Sequence, residues 1–209
     1  MASLLRLMLL CTSLTVGAAQ AAAPQVEATA FGAYRVGGEF DIDDAPAGVP
    51  ESAELDDGGG WGVGLALYRD PEAYYELLYS RQETGIDRNT PLVGSLQVTT
   101  EYYQLGGTLL FDPQPAFSTW LSLTIGLTRF SADGFSAESD FSASLGTGLR
   151  MPLSERIAVT LGVRGYLTFV DADTRYFCSS IDGQGACLLN ATGTTMFQAE
   201  ANAGIAIRF

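Results

Sequence analysis

The stretch FSTWLSLTIGLTRF, residues 117–130, sets Phe117, Leu121, Leu123, Ile125 and Leu127 against Ser118, Ser122, Thr124 and Gly126. Successive side chains of an extended strand point to opposite faces, so this period of two defines a strand with one apolar and one polar face. A helix would mix the two sets on every side.

The alternation recurs along the chain in eight segments, at 26–40, 60–68, 74–82, 98–111, 116–130, 141–151, 157–170 and 194–209. In the seventh, Ile157, Val159, Leu161, Val163, Leu167 and Phe169 oppose Thr160, Gly162, Arg164, Tyr166 and Thr168. Three connections are short, at 69–72, 112–115 and 152–155, and four are longer, at 41–59, 83–97, 131–140 and 171–193. The pattern predicts an all-β fold, an eight-stranded antiparallel up-and-down transmembrane β-barrel with both termini on the short-turn side.

A soluble eight-stranded barrel would also alternate, but with its apolar face inward. Three features favour lipid outside. Arg35, Glu39, Glu76, Arg150, Arg164, Glu200 and Arg208 share the polar parity. Aromatic residues gather near strand ends, as Trp61, Tyr68, Tyr75, Tyr79, Phe111, Phe117 and Phe209, which suits interfacial girdles. The chain also stops on Phe209, at the end of an alternating strand.

Composition narrows the function. Among 209 residues, Asp and Glu number 24 against 11 Arg, with no Lys and no His, for a formal charge of -13. Such a chain repels phosphate backbones and offers no basic stripe to nucleic acid. Without His, serines such as Ser80, Ser118 and Ser142 lack a ready base for activation, so no enzymatic activity is expected. The first long connection carries Asp41, Asp43, Asp44, Glu51, Glu54, Asp56 and Asp57 without EF-hand spacing, and reads as a solvated acidic loop. Neither a metal nor a cofactor is expected.

Residues 1–21 read as a secretory signal, with Arg6 in the charged region, Leu7 to Ala18 as the apolar core and Ala19-Gln20-Ala21 at the cleavage site. Residues 22–209 are then the mature barrel domain. Cys11 leaves with the leader. Export to an oxidising compartment makes Cys178 and Cys187, which share the last long connection, a loop disulfide.

The interior of an eight-stranded barrel is just wide enough for side chains to fill. The seven inward charges should therefore pair as a network, and Arg164 and Glu200, on neighbouring strands, are the expected pair. This reading gives the protein a structural or surface-interaction role with a filled lumen. The alternative is a narrow channel for small or apolar solutes. Arg81, Arg129 and Arg175 fall on the lipid-facing parity at the outer ends of ascending strands, where a lipopolysaccharide head group would lie, and Arg matches phosphate in bidentate fashion.

The terminus AEANAGIAIRF (199–209) resembles the C-terminal targeting strand of bacterial outer-membrane proteins, in which a final aromatic is read by the barrel-assembly machinery. YRVGGEF (34–40), ELLYSRQ (76–82), YYQLGGTLLF (102–111), GLTRF (126–130), RGYLTFVDAD (164–173) and the CSS to GAC loop are similar to a family of small outer-membrane β-barrel proteins of uncharacterised function. The resemblance implies residence in the outer membrane of a Gram-negative bacterium, termini periplasmic and long loops extracellular. It brings no catalytic or ligand-binding residue, and leaves the oligomeric state open.

Overall fold

The structure is a computed structural model that describes residues 25–41, 52–86, 96–111, 116–132, 135–170, 175–181, 184–190 and 195–209. The expected signal segment, residues 1–21, lies outside the described residues. The described residues form twelve strands: β1 Val26–Gly37, β2 Glu39–Asp41, β3 Ser52–Glu54, β4 Gly58–Asp70, β5 Ala73–Ile86, β6 Leu96–Phe111, β7 Ser118–Ala132, β8 Glu138–Pro152, β9 Ile157–Phe169, β10 Arg175–Ile181, β11 Gln184–Asn190 and β12 Thr195–Arg208. Eight of them close into a barrel in the order β1-β12-β9-β8-β7-β6-β5-β4. Every neighbouring pair is antiparallel. The pairs β2–β3 and β10–β11 are separate two-stranded ribbons within the first and last long connections.

The register sets the bore. Directly opposed residues lead from Tyr68 through Tyr74, Thr108, Ser122, Gly146, Arg164, Glu200 and Arg35 back to β4 at Gly58, ten residues from the start. This stagger tilts the strands and leaves an interior that side chains can fill.

Burial is inverted relative to a soluble barrel. Leu105, Leu123, Ile125 and Leu145 are exposed, Leu123 to 64%, while Thr100, Gln104, Ser122, Thr128, Ser142 and Gln198 are buried inside. No helix among the described residues is long and apolar enough to cross a membrane. The strands are the only described elements able to do so, because closing the sheet pairs the backbone groups that hydrocarbon cannot satisfy.

Two expectations change. The segment 26–40 is broken at Gly37 and Gly38, whose φ values of +82° and +109° lie in the left-handed region that glycine tolerates. The break resets the parity, so Glu39 is exposed on β2 and is not one of the lumen charges. Tyr68, expected in an aromatic girdle, is buried with its hydroxyl donating to Glu27 at 3.3 Å. Its even number in β4 puts it on the face opposite Trp61, Val63, Leu65 and Leu67, which are exposed.

Candidate functional site

The inward side chains form polar layers that cross the bore. Arg164 on β9 donates from Nη2 to Glu76 Oε1 on β5 at 2.9 Å. These strands stand on opposite sides of the eight-membered ring. Arg164 Nη1 donates to Ser144 at 3.0 Å, while Glu76 Oε2 accepts from Thr108 at 3.0 Å and from Ser122.

Arg35 on β1 donates from Nη2 to Glu200 Oε2 at 2.8 Å and to the Ser80 hydroxyl at 2.6 Å. The other oxygen of Glu200 accepts from Asn202 at 3.2 Å and Tyr166 at 3.4 Å. The Arg35 guanidinium lies 4.8 Å from the centre of the Tyr102 ring and 5.3 Å from that of Tyr166, and the two rings stack 3.9 Å apart. Among the described residues, Nε and Nη1 of Arg35 have no hydrogen-bond acceptor. The electron-rich ring faces offset part of the cost of burying this cation. The Tyr102 hydroxyl on β6 also crosses the bore, donating to Gln198 on β12 at 2.7 Å.

Towards the short turns, Glu27 on β1 accepts from Arg150 at 2.5 Å and forms an ion pair with Arg208 at 3.3 Å. Ala66, Tyr68, Leu110 and Trp120 pack into a buried apolar cluster at this end. A β-carbon on Gly162 would come within 2.3 Å of the Trp120 ring, and one on Gly148 within 2.7 Å. The benzo ring of the indole therefore packs against a wall that glycine makes bare. At the long-connection end, Leu55, Val98, Phe130 and Met196 are each no more than 2% exposed. The Leu55 N–H is held by the Gly38 carbonyl at 2.9 Å. Between the ends lies a cavity of about 60 Å³ lined by Glu27, Glu76, Arg150, Thr160, Arg164 and Asn202. It has room for about four water molecules.

The structure thus brings together Arg35, Glu76, Arg150, Arg164, Glu200 and Arg208. It divides them differently from the sequence expectation. Arg164 stands directly opposite Glu200 in register, yet its hydrogen bond goes to Glu76, and Glu200 is taken by Arg35. Glu200 has an opposed residue on each neighbouring strand, Arg164 on β9 and Arg35 on β1, and it is Arg35 that takes it, while Glu76 on the far wall accepts from Arg164. Glu27 was missed, although it shares the odd parity of Arg35 in the same segment. Parity already placed Tyr166 on the inward face with Arg164, but neither its stacking on Tyr102 nor the contact of both rings with Arg35 was foreseen, because these depend on which inward side chains meet across the bore.

On the outside, Arg81, Glu101 and Arg129 stand opposite one another on β5, β6 and β7. Arg175 begins β10, and the register sets Cys178 opposite Cys187 across β10–β11. The side chains of these three lie outside the described residues, as does most of the acidic first connection.

A closed antiparallel barrel with an apolar exterior, a buried polar lumen and no free edge is a transmembrane β-barrel. The chain belongs to the family described as outer membrane protein beta-barrel domain, whose sequence profile matches residues 9–209. Among solved structures it is similar to OprG of Pseudomonas aeruginosa, at 13% identity and a TM-score of 0.59, over 90% of this chain and 96% of that one. Neisserial surface protein A matches at 14% identity and a TM-score of 0.53, over 90% and 98%. The outer membrane protein AlkL, solved in lipid bilayers, matches at 11% identity and a TM-score of 0.52, over 89% and 90%. At these identities the likeness is one of fold. No curated protein matches by sequence.

Proposed function

We propose that this outer-membrane barrel is a closed body with a structural or surface-interaction role, and that it catalyses no reaction. The observation that carries this reading is the set of bonds across the bore. Arg164 to Glu76 and Tyr102 to Gln198 each join strands on opposite sides of the ring, with apolar residues above and below them. A solute would have to break these buried bonds to pass, the charge-assisted Arg164–Glu76 bond worth about 1.5–3 kcal/mol and the neutral Tyr102–Gln198 bond about 0.5–1.5 kcal/mol. In this reading the short turns and both termini face the periplasm, the long connections face outward, and the assembly machinery engages the strand ending at Phe209.

The rival reading, a narrow channel for small solutes, draws on the cavity of about 60 Å³ between the two ionic layers. Planar-bilayer recording of the refolded protein separates the two. A closed lumen yields no resolved conductance steps, and regular steps from unmodified protein would establish the channel instead.

A further inference from the structure

The end of the first long connection is tied down over the mouth of the bore. The Leu55 N–H donates to the Gly38 carbonyl at 2.9 Å and the Asp56 N–H to the Gly85 carbonyl at 2.9 Å. The Thr84 hydroxyl donates to the Asp56 carbonyl, and the Asp57 carboxylate accepts from the Gly37 N–H at 3.2 Å. These ties seat Leu55, an apolar residue between Glu54 and Asp56, at 2% exposure. The Leu55 side chain and the Gln198 amide converge on the space a Gly38 side chain would fill, 2.9 Å and 3.0 Å from its β-carbon position. Gln198 in turn donates to the Gly37 carbonyl at 3.1 Å and accepts from Tyr102. Leu55 thus sits beside a bond that crosses the bore.

Three features weaken this closure. Gly37 and Gly38, where the connection leaves β1, hold φ values of +82° and +109°, a pair of permissive joints. The β2–β3 ribbon pairs over three positions among the described residues and sets Glu39 directly opposite Glu54. Like charges so placed destabilise a strand pair. Inside the mouth, Gln82 is the next inward residue of β5 below Thr84 and stands opposite Thr100 on β6. Both are no more than 1% exposed, and among the described residues Gln82 Oε1 and Thr100 Oγ1 have no hydrogen-bond partner. Closure keeps these two oxygens from water, and opening hydrates them.

We propose that Leu55 is the stopper of a lid hinged at Gly37 and Gly38, whose opening exposes the end of the lumen as a polar cup lined by Gln82, Thr100 and Gln198. Burial of Leu55 holds the lid shut, while hydration of the cup and relief of the Glu39–Glu54 opposition favour opening. The closed-body reading concerns the bonds beneath the cup, and the lid concerns its cover.

Thr100→Cys, as the only thiol in the protein, reports the opening, because a buried thiol meets a small neutral methanethiosulfonate only when the lid is away. The protein would be refolded into vesicles, its folding checked by heat-dependent gel migration and its modification followed by intact mass. Leu55→Ser should raise the rate about tenfold or more, since it removes the apolar burial that shuts the lid. Glu39→Gln should lower it roughly threefold by removing the repulsion in the ribbon. Added salt should slow the parent and leave Glu39→Gln unchanged. A barrel merely loosened by substitution cannot react more slowly. Equal rates in all three proteins, or a Glu39→Gln rate above that of the parent, would overturn the lid. Thr108, 1% exposed on the same strand towards the short turns, gives the second reporter. Thr108→Cys should stay unreactive throughout, and its modification in Leu55→Ser would defeat the closed-lumen reading while leaving the lid standing.

Discussion

Arg164 on β9 and Glu76 on β5 are joined at 2.9 Å across the full width of the barrel, although the residue opposite Arg164 in the sheet is Glu200. The sheet register places one carboxylate beside this guanidinium, and the bore brings it another. Both ends of the pair are nearly solvent-free, with side-chain exposures of 4% and 13%.

Removing either end leaves the other charge buried without its partner. Arg164→Gln and Glu76→Gln should each destabilise the barrel by about 3–5 kcal/mol, and the double variant should cost less than the two single losses combined. Urea unfolding from lipid vesicles measures all three. The pair Arg164 and Glu200 should show weaker coupling in the same cycle. If Arg164 couples to Glu200 and not to Glu76, the crossing bond is wrong.

The stacked rings of Tyr102 and Tyr166 lie against Arg35 inside the bore, and in the closed-lumen reading they are its middle seal. Replacing both tyrosines by Ala removes two large buried side chains from one layer. Resolved conductance steps should then appear in a bilayer where the unmodified protein shows none. A double variant that folds and stays silent would mean that the seal lies elsewhere, at the Leu55 or Trp120 ends.

Cys178 and Cys187 are opposed in register on β10 and β11. Opposed residues in an antiparallel pair stand about 4.5–5.5 Å apart at Cα, within the range a disulfide spans. In the chain-entropy account, a bridge over a loop this short restricts the unfolded chain by about 2–3 kcal/mol. Intact-mass alkylation of protein isolated from membranes should find no free thiol, and reduction should leave heat-dependent gel migration unchanged, because the ribbon is outside the barrel sheet. Two free thiols would remove the bridge.

In the β4–β5 turn, Arg69 donates to Asp70 at 2.8 Å and the Glu72 N–H donates to the same carboxyl group at 3.0 Å. Arg69 first, then the Glu72 N–H, holds the Asp70 carboxyl below the usual carboxylate range. A depressed folded-state pKa means that the contribution to the turn is complete above the unfolded value and is lost as pH falls through the folded one. Carboxyl chemical shifts followed by NMR should place the Asp70 midpoint below that of a free aspartate, and Arg69→Gln should raise it.

Strand number, the connection pattern and the direction of the apolar face were legible because closure imposes period two on every spanning segment. Leu121, Leu123, Ile125 and Leu127 need only their parity to be placed. The partner choice within the lumen was not legible. Parity puts Arg164, Glu200 and Glu76 on the same face, but the reach of a side chain across the bore depends on strand tilt and on which acceptors are already occupied. Glu39 failed for a local reason, since one pair of left-handed glycines breaks the count that the parity argument relies on.

The glycines facing the lumen supply the last prediction, because two of them share a sequence signature but not a role. Gly162 lies under the Trp120 ring, where a β-carbon would stand 2.3 Å from the nearest indole atom. Gly64 lines the central cavity, and a β-carbon there would meet nothing nearer than 3.8 Å. Neither has a φ that resists substitution. Gly162→Ala must therefore push the indole off the wall, and overpacking of this kind costs about 1–3 kcal/mol. Gly64→Ala should be neutral or mildly stabilising, since it fills open space and reduces unfolded-chain entropy. Urea midpoints from vesicles compare the two, and emission from the W61F background isolates Trp120, which should shift only in Gly162→Ala. Equal midpoints would mean that Trp120 does not rest on the β9 wall, and the apolar seal at the short-turn end would then need a different closing residue.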